Sequence, residues 1–285
     1  MEEKQMLIPA EILQETIKIA QKKAASPVYK MLLSGFMAGA FIAFAGGASN
    51  LATYGLLSDA ATYGLGKALA GAIFAGGLIM VLIAGGELFT GNCLMAAGVL
   101  DKKISVSAML RNWLFIYTGN FLGACVVAWC INYSGSLGTG AGLLGAMTVK
   151  IAAGKVTLSF GKALVMGILC NWLVALAVWM ATAAKDIAGK VLAIFFPIWI
   201  FIISGFEHCV ANMFYVPIGI FAKATYAEQA IALGASAEAI EKINWVNFAV
   251  NNLIPVNNLI PVTIGNIIGG SVCVALVYWL MYRKK

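Results

Sequence analysis

The chain has 285 residues, of which 61% are apolar and only 11% are charged. A soluble domain has about 25% charged residues, so these few charges cannot solvate the surface of a 30 kDa globule. The composition excludes soluble enzymes, fibrous proteins and disordered proteins, and it predicts a polytopic membrane protein. The net charge of +7 is typical of basic cytoplasmic loops. No basic patch interleaved with aromatic residues indicates nucleic-acid binding.

The first predicted element is an amphipathic helix over residues 9–26, with Pro9 in its first turn and Pro27 ending it. It is too polar to cross a bilayer, and we expect it to lie at the membrane surface. No apolar segment of a cleavable signal peptide precedes it. We therefore expect a cytoplasmic segment over residues 1–30, a transmembrane domain over 31–282 and a cytoplasmic tail over 283–285.

Six apolar stretches follow, each with the ~20 residues that a helix needs to cross a bilayer. The second and the fifth are too long for one helix and contain glycine, asparagine and charge near their centres. Both are predicted to be broken helices, whose freed backbone groups must line a cavity or be buried in protein. The six predicted spans are 31–57, 67–99, 112–133, 162–184, 191–222 and 247–282.

The six spans form two related sets of three. A glutamate and an asparagine five residues apart recur in spans two and five, and an Asn-x6-Gly-Asn pattern recurs in spans three and six. Because three is an odd number, the second set must enter the membrane from the opposite side, which makes an inverted repeat. The matching pairs are Glu87 and Asn92 with Glu207 and Asn212, Asn112 and Asn120 with Asn258 and Asn266, and Gly35 with Gly167.

The orientation follows from the basic residues. With the N-terminus inside, thirteen Lys and Arg residues lie in cytoplasmic segments and six lie in outer segments. This bias predicts that both termini are cytoplasmic.

Apart from tyrosine, cysteine and the lysines at the first residues of spans two and four (Lys67 and Lys162), the ionisable side chains within the predicted spans are Glu87, Glu207 and His208. A charge at the bilayer centre costs at least about 2.5–3.5 kcal/mol, so each needs a partner or a function. The two glutamates occupy matching positions, and with Asn92 and Asn212 they are predicted to support the helix breaks. His208 corresponds to Leu88, so the repeat itself does not require a histidine there. An imidazole, with an ordinary pKa of about 6.5, can exchange protons with a weak acid.

Other chemistry finds little support in the sequence. The six cysteines lie within apolar stretches and are interpreted as buried hydrophobic residues. With a single histidine and no cysteine cluster, no metal site is expected, and no cofactor is indicated. No nucleotide-binding motif or nucleophile–base pair suggests an enzyme. Lys150 and Lys155 lie in a Gly-rich connection, where they could be solvated loop residues or attract small anions.

Several motifs together resemble the formate/nitrite transporter family, which includes formate, nitrite and hydrosulfide channels. The resemblance extends from about residue 28 over nearly the whole chain. The motifs are Glu87-Leu-Phe-Thr-Gly-Asn92, Gly154-Lys-Val156, Gly167-Ile-Leu-Cys-Asn171, Gly205-Phe-Glu-His-Cys-Val-Ala-Asn-Met-Phe214 and Asn258-Leu-Ile-Pro-Val-Thr-Ile-Gly-Asn266.

The resemblance implies an aquaporin-like fold in a homopentamer with one pore in each protomer. It places His208 and Lys155 on the anion route, with Thr90 as a partner of His208 and with Asn171 and Asn266 as pore asparagines. It also implies apolar constrictions, although the residues alone favour core packing over constriction at most of these positions. The implied constriction residues are Phe74, Leu78, Leu88, Phe89, Val174 and Phe201.

One departure from the family pattern is a tandem repeat. Residues 251–256 have the sequence Asn-Asn-Leu-Ile-Pro-Val, which recurs at 257–262. Six extra residues are not a whole number of helical turns, so one copy must bulge or lengthen the entry to span six. The family role is assigned to the second copy, which adjoins Asn266.

The predicted function is a channel or transporter for a small monovalent anion of a weak acid, with formate or nitrite preferred and with pH-dependent passage at His208. The expected partners are this anion, with or without a proton, the lipid bilayer of a bacterial inner membrane, and copies of the chain. A hydrosulfide channel is the alternative within the family. An aquaporin-like neutral-solute channel is disfavoured because duplicated Asn-Pro-Ala motifs are absent, and a membrane enzyme or sensor lacks a recognisable centre.

Overall fold

A computed structural model describes residues 6–249 and 258–283, which are all-helical apart from turns and one isolated bridge. Six of the helices are long and apolar enough to cross a membrane, so the predicted all-α polytopic fold is confirmed. The helices in chain order are α1 Pro9–Ala24, α2 Val28–Ser58, α3 Tyr63–Ala84, α4 Phe89–Leu100, α5 Val106–Tyr133, α6 Leu143–Val156, α7 Phe160–Ala183, α8 Ile187–Ser204, α9 Cys209–Ala232, α10 Ala237–Glu241, α11 Trp245–Ala249 and α12 Leu259–Tyr282.

Spans two and five are broken as predicted. Helix α3 ends at Gly85 with φ of +98°, and α8 ends at Gly205 with φ of +71°. A left-handed backbone at the end of a helix favours glycine, because a Cβ atom would be strained there. The short turns after these glycines lead into α4 and α9, so each span consists of two half-helices.

The two halves pack their helices in the same way. A Cβ atom on Gly35 of α2 would lie 2.8 Å from the carbonyl oxygen of Ile116 in α5, and one on Gly167 of α7 would lie 2.8 Å from that of Val262 in α12. These glycines let the backbones of two spans meet directly, as small residues do between membrane helices. The contacts are equivalent in the two halves of the inverted repeat.

The repeat also includes an element that was not predicted from the sequence. Lys155 was predicted to lie in a Gly-rich connection, but residues Leu143–Val156 form helix α6. Helix α6 ends 132 residues after α1, which is also the spacing between Gly35 and Gly167. Each half therefore begins with a short helix, which is α1 in the first half and α6 in the second.

Helix α1 packs its apolar face against the transmembrane helices. Leu13 and Ile17 are buried in a cluster that includes Leu94 of α4 and Trp179 of α7. This packing holds the end of α1 beneath the break in span two.

Two further predictions need correction. Cys130 is exposed on α5, so the cysteines are not all buried. The sixth span begins at Leu259, well after the predicted residue 247. The first copy of the tandem motif lies outside the described residues, whereas the second copy leads into α12.

Candidate functional site

A polar cluster lies at the break of span two. Asn92 donates from Nδ2 to Glu87 Oε2 at 2.9 Å and to Asn112 Oδ1 at 2.8 Å. Lys23 of α1 donates from Nζ to Asn92 Oδ1, and the same Nζ lies 3.8 Å from Glu87 Oε2. The half-buried carboxylate is therefore stabilised by an amide and a lysine beside the helix break.

An equivalent cluster lies at the break of span five. Asn212 donates from Nδ2 to Glu207 Oε2 at 2.6 Å and to Asn258 Oδ1 at 2.9 Å. Lys155 of α6 donates from Nζ to Glu207 Oε1 at 2.9 Å, and its Nζ lies 5.2 Å from the centre of the Tyr215 ring. The structure thus brings the sequence-predicted Lys155, Glu207 and Asn212 together.

Asn266, predicted as a pore residue, uses its whole side-chain amide to hold the break of span five. Its Oδ1 accepts from the Cys209 N–H at 2.9 Å, and its Nδ2 donates to the carbonyls of Gly167 at 2.8 Å and Glu207 at 3.0 Å. Asn120 makes the three equivalent bonds in the first half. Because both positions make the same bonds, they support the fold symmetrically.

Asn171 is different, because one of its polar atoms is free. Its Nδ2 donates to the carbonyls of Thr90 at 3.1 Å and Asn266 at 2.6 Å. Its Oδ1 is buried and has no hydrogen-bond partner among the described residues. A buried carbonyl oxygen without a partner can accept a hydrogen bond from a transported molecule or from water.

His208 forms the predicted pair with Thr90. The Thr90 Oγ1 and His208 Nε2 atoms are 2.9 Å apart, and the Ala211 N–H donates to His208 Nδ1 at 3.0 Å. Because Nδ1 accepts a hydrogen bond, the neutral ring carries its proton on Nε2. His208 therefore donates to the Thr90 hydroxyl, which leaves the Thr90 proton available to another acceptor.

Apolar side chains enclose this pair. The ring centroid of Phe201 lies 6.1 Å from that of His208 and 5.8 Å from that of Phe74. Phe89 packs edge-on against Trp113 and Tyr117 of α5. All the residues predicted as constrictions are buried, namely Phe74, Leu78, Leu88, Phe89, Val174 and Phe201.

Two cavities approach this apolar region from opposite ends of α7. The cavity that we call the Lys155 vestibule has a volume of about 420 Å³, and its lining includes Lys155, His208 and Met166 of α7. The cavity that we call the Lys23 vestibule has a volume of about 1120 Å³, and its lining includes Lys23 and Val178 of α7.

Lys23 is the site residue that the sequence analysis missed. It occupies the position in the first half that Lys155 occupies in the second, and its backbone carbonyl accepts from Asn112 as that of Lys155 accepts from Asn258. The 132-residue spacing between the two lysines was the available signal. Burial lowers the pKa of Lys23, and the Glu87 carboxylate partly opposes this effect.

Six spans in an inverted repeat, two pairs of half-helices that meet at buried polar residues, and a cavity at each end define a membrane transport protein of the channel type. Among the described residues, no group of three or more metal-ligating side chains could hold an ion. The profile of the Formate/nitrite transporter family matches residues 10–280. The chain belongs to this family, whose members are transporters and not enzymes.

Relatives and solved structures agree with this assignment. A protein of Methanothermobacter thermautotrophicus described as a "probable formate transporter" is 41% identical, with 97% of each chain covered. The formate channel BtFdhC of Bacillus thuringiensis is 37% identical, with 97% of this chain and 96% of that one covered. A structure described as a pentameric formate channel with formate bound is 38% identical, with a TM-score of 0.74. The match covers 90% of this chain and 98% of that one.

Proposed function

We propose that the protein is a formate channel that assembles as a homopentamer with one conduit in each protomer. The relatives named as formate channels and the formate-bound pentameric neighbour support this substrate and this assembly. The observation that carries the proposal is the Thr90–His208 hydrogen bond, which lies in an apolar region between two lysine-bearing cavities.

Passage begins with electrostatic attraction. Lysines line both vestibules, and their excess over carboxylates in the Lys155 vestibule raises the local concentration of a small anion there. Lys155 and Lys23 lie beside the helix breaks, so an anion drawn towards them arrives next to the constriction residues. The free Oδ1 of Asn171 and the Thr90 hydroxyl then supply an acceptor and a donor for its polar atoms.

The anion crosses the apolar region as its neutral acid. A bare carboxylate between Phe201, Phe74 and Leu78 would lose its hydration without gaining a counter-ion, which is strongly unfavourable. A proton bound to formate removes this cost, and His208 is the titratable group in position to transfer it. The charged ring gives a proton to formate as it enters and becomes neutral, and the acid returns the proton to the ring as it leaves, so the net passage is that of the anion. In the neutral ring the Ala211 N–H faces Nδ1, so charging the ring requires this bond to break. Protonation at His208 thereby couples passage to pH.

The orientation follows from the distribution of basic residues. We propose that both termini and the Lys23 vestibule face the cytoplasm and that the Lys155 vestibule faces the outside of a bacterial inner membrane. Residues 1–30 then form a cytoplasmic segment, 31–282 the channel domain and 283–285 a cytoplasmic tail.

Formate uptake into proteoliposomes at two pH values tests this proposal. The wild type is expected to take up formate faster as the pH falls, and the variant His208→Phe is expected to lose this dependence. An unchanged pH dependence in the variant would contradict the role of His208. Competition with nitrite and hydrosulfide identifies the preferred anion, and stronger competition by hydrosulfide than by unlabelled formate would contradict the proposed substrate.

A further inference from the structure

We propose that Lys67 of α3 is the unpaired cation that binds the anion on the Lys155 side of the channel. The proposal rests on the proposed function for the identity of the anion, a small monovalent oxyanion. It concerns the charges of the two vestibules, which differ although the folds around them match.

The Lys155 vestibule has a net positive charge, whereas the Lys23 vestibule has none. The former is lined by three lysines and one carboxylate, with His208 neutral. The latter is lined by three lysines and three carboxylates. An anion is therefore attracted more strongly to the Lys155 vestibule. The charged lining residues are Lys67, Lys150, Lys155 and Glu207 in the first cavity, and Glu15, Lys23, Glu87, Lys185, Asp186 and Lys190 in the second.

Two of the three lysines in the Lys155 vestibule are already engaged. Lys155 is 2.9 Å from Glu207 Oε1, and this carboxylate neutralises its charge. Lys150 donates to the backbone carbonyl of Leu233 at 2.6 Å, which occupies part of its hydrogen-bonding capacity. A new anion would have to compete with these partners.

Lys67 has no hydrogen bond and no ion pair within the described residues. Its side chain is half-buried and lines the cavity, and it lies within electrostatic reach of both Lys155 and Glu207. All three ammonium donors are therefore available to a ligand. A charged group without a partner in a cavity beside the pathway is a candidate binding residue.

The position of Lys67 explains how the unpaired charge is tolerated. A Cβ atom on Gly205 would lie 3.7 Å from Lys67 Nζ, so the ammonium lies next to the residue that ends α8. The carboxyl end of a helix has a partial negative charge, which stabilises a nearby cation without neutralising it. Gly205 precedes His208 by three residues, so the ammonium lies at the break of span five.

Lys67 also departs from the repeat in the same way as His208. With the 120-residue spacing that relates Glu87 to Glu207, the position equivalent to Lys67 is Ile187. The fold therefore does not need a lysine there. His208 and Lys67 both interrupt the symmetry, and both line the Lys155 vestibule.

The test is the conductance of the full channel in planar bilayers as formate is raised on one side at a time. Lys67→Gln is expected to raise the half-saturating formate concentration on the Lys155 side about five- to tenfold and to leave the opposite side within twofold. Lys67→Arg should retain the wild-type value. The matched control is Lys242→Gln, which removes one positive charge from an exposed pair with Glu238 and should change neither side.

A second variant keeps the test decisive if Lys67→Gln folds poorly. Lys67→Cys can be reacted after purification with a thiol reagent that adds an ammonium or with one that adds a sulfonate. The ammonium adduct should restore the wild-type half-saturation and the sulfonate adduct should weaken binding further, with the treated wild type as the control for native cysteines. Equal half-saturation in all these forms, in a channel that conducts formate, would overturn the role of Lys67 alone. A wild type that conducts no formate would instead overturn the proposed function.

Discussion

The two polar clusters at the helix breaks have the same members but different bonds. In the first half, Lys23 donates to Asn92 and lies 3.8 Å from Glu87, whereas in the second half Lys155 donates directly to Glu207 at 2.9 Å. The shared Glu-Asn-Asn-Lys arrangement is a requirement of the fold, because both breaks need it. We therefore expect function to depend on the residues and bonds that differ between the two halves.

The tighter ion pair is also the more buried one. The side chains of Lys155 and Glu207 are 14% and 7% exposed, against 26% and 18% for Lys23 and Glu87. Removing one partner of a buried pair leaves a charge without compensation, and this costs about 3–5 kcal/mol. Screening by water reduces the cost at the more exposed cluster.

The largest predicted effect tests the difference between the two ion pairs directly. Lys155→Met should lower the free energy of unfolding by about 3 kcal/mol, because it leaves Glu207 buried without its cation. Lys23→Met should lower it by about 1 kcal/mol, since Asn92 and water still stabilise Glu87. Thermal unfolding of the purified variants in one detergent measures both. Equal losses would show that the two clusters are energetically equivalent.

The glycine contacts should respond equally in both halves. Gly35→Ala and Gly167→Ala each place a Cβ atom 2.8 Å from a backbone carbonyl oxygen, which cannot move as a flexible side chain would. Each should destabilise the protein by about 1–3 kcal/mol, measured by thermal unfolding. Gly76→Ala is the control, because a Cβ atom there meets nothing within 4 Å. A loss in the control as large as in the other two would contradict the packing explanation.

Loss of the hydrogen bond between Thr90 and His208 should change stability less than the substitutions above, but it should also change transport. Thr90→Val keeps the size of the side chain and removes the acceptor for the His208 Nε2–H, at a cost of about 1 kcal/mol. Formate uptake should lose most of its pH dependence, because the ring then lacks its hydroxyl link to the pathway. Thr90→Ser retains the hydroxyl and should behave like the wild type. Wild-type pH dependence in Thr90→Val would exclude the hydroxyl from the proton path.

The smallest predicted effect concerns the docking of α1. Burial lowers the pKa of Lys23 when α1 is docked, so the docked form binds fewer protons than a form with α1 in water. Docking should therefore strengthen as the pH rises from the lowered pKa towards 10.5, the ordinary value, and weaken as the pH falls. Distances between spin labels on α1 and α5 measure this change. Lys23→Gln should abolish it, and an identical shift in that variant would rule out Lys23 as the titrating group.

Much of the fold could be predicted from the sequence. The broken spans and the inverted repeat were predictable because a glycine, a glutamate and an asparagine recur at fixed spacing around each break. The Thr90–His208 contact was implied by the family resemblance, and the structure places the two atoms 2.9 Å apart.

Other features depend on tertiary packing that no local pattern reveals. Helices α1 and α6 share the pattern Thr-x-Lys-Ile-Ala-x-x-Lys at the 132-residue spacing, but only the structure shows that the last lysine of each pattern lies beside a glutamate. The family resemblance implies a pore role for Asn266, and only the structure shows that all its amide atoms bond to backbone groups. The tautomer of His208 depends on the Ala211 N–H, which faces Nδ1 only after α9 has formed.

The central claim is that the one histidine, which breaks the repeat, couples anion passage to protons. The most direct measurement is the formate current across a bilayer under a fixed formate gradient at two pH values, for the wild type and His208→Phe. We predict that the wild-type current rises as the pH falls, whereas the current of the variant shows no shift with pH. Identical shifts in both proteins would contradict the claim.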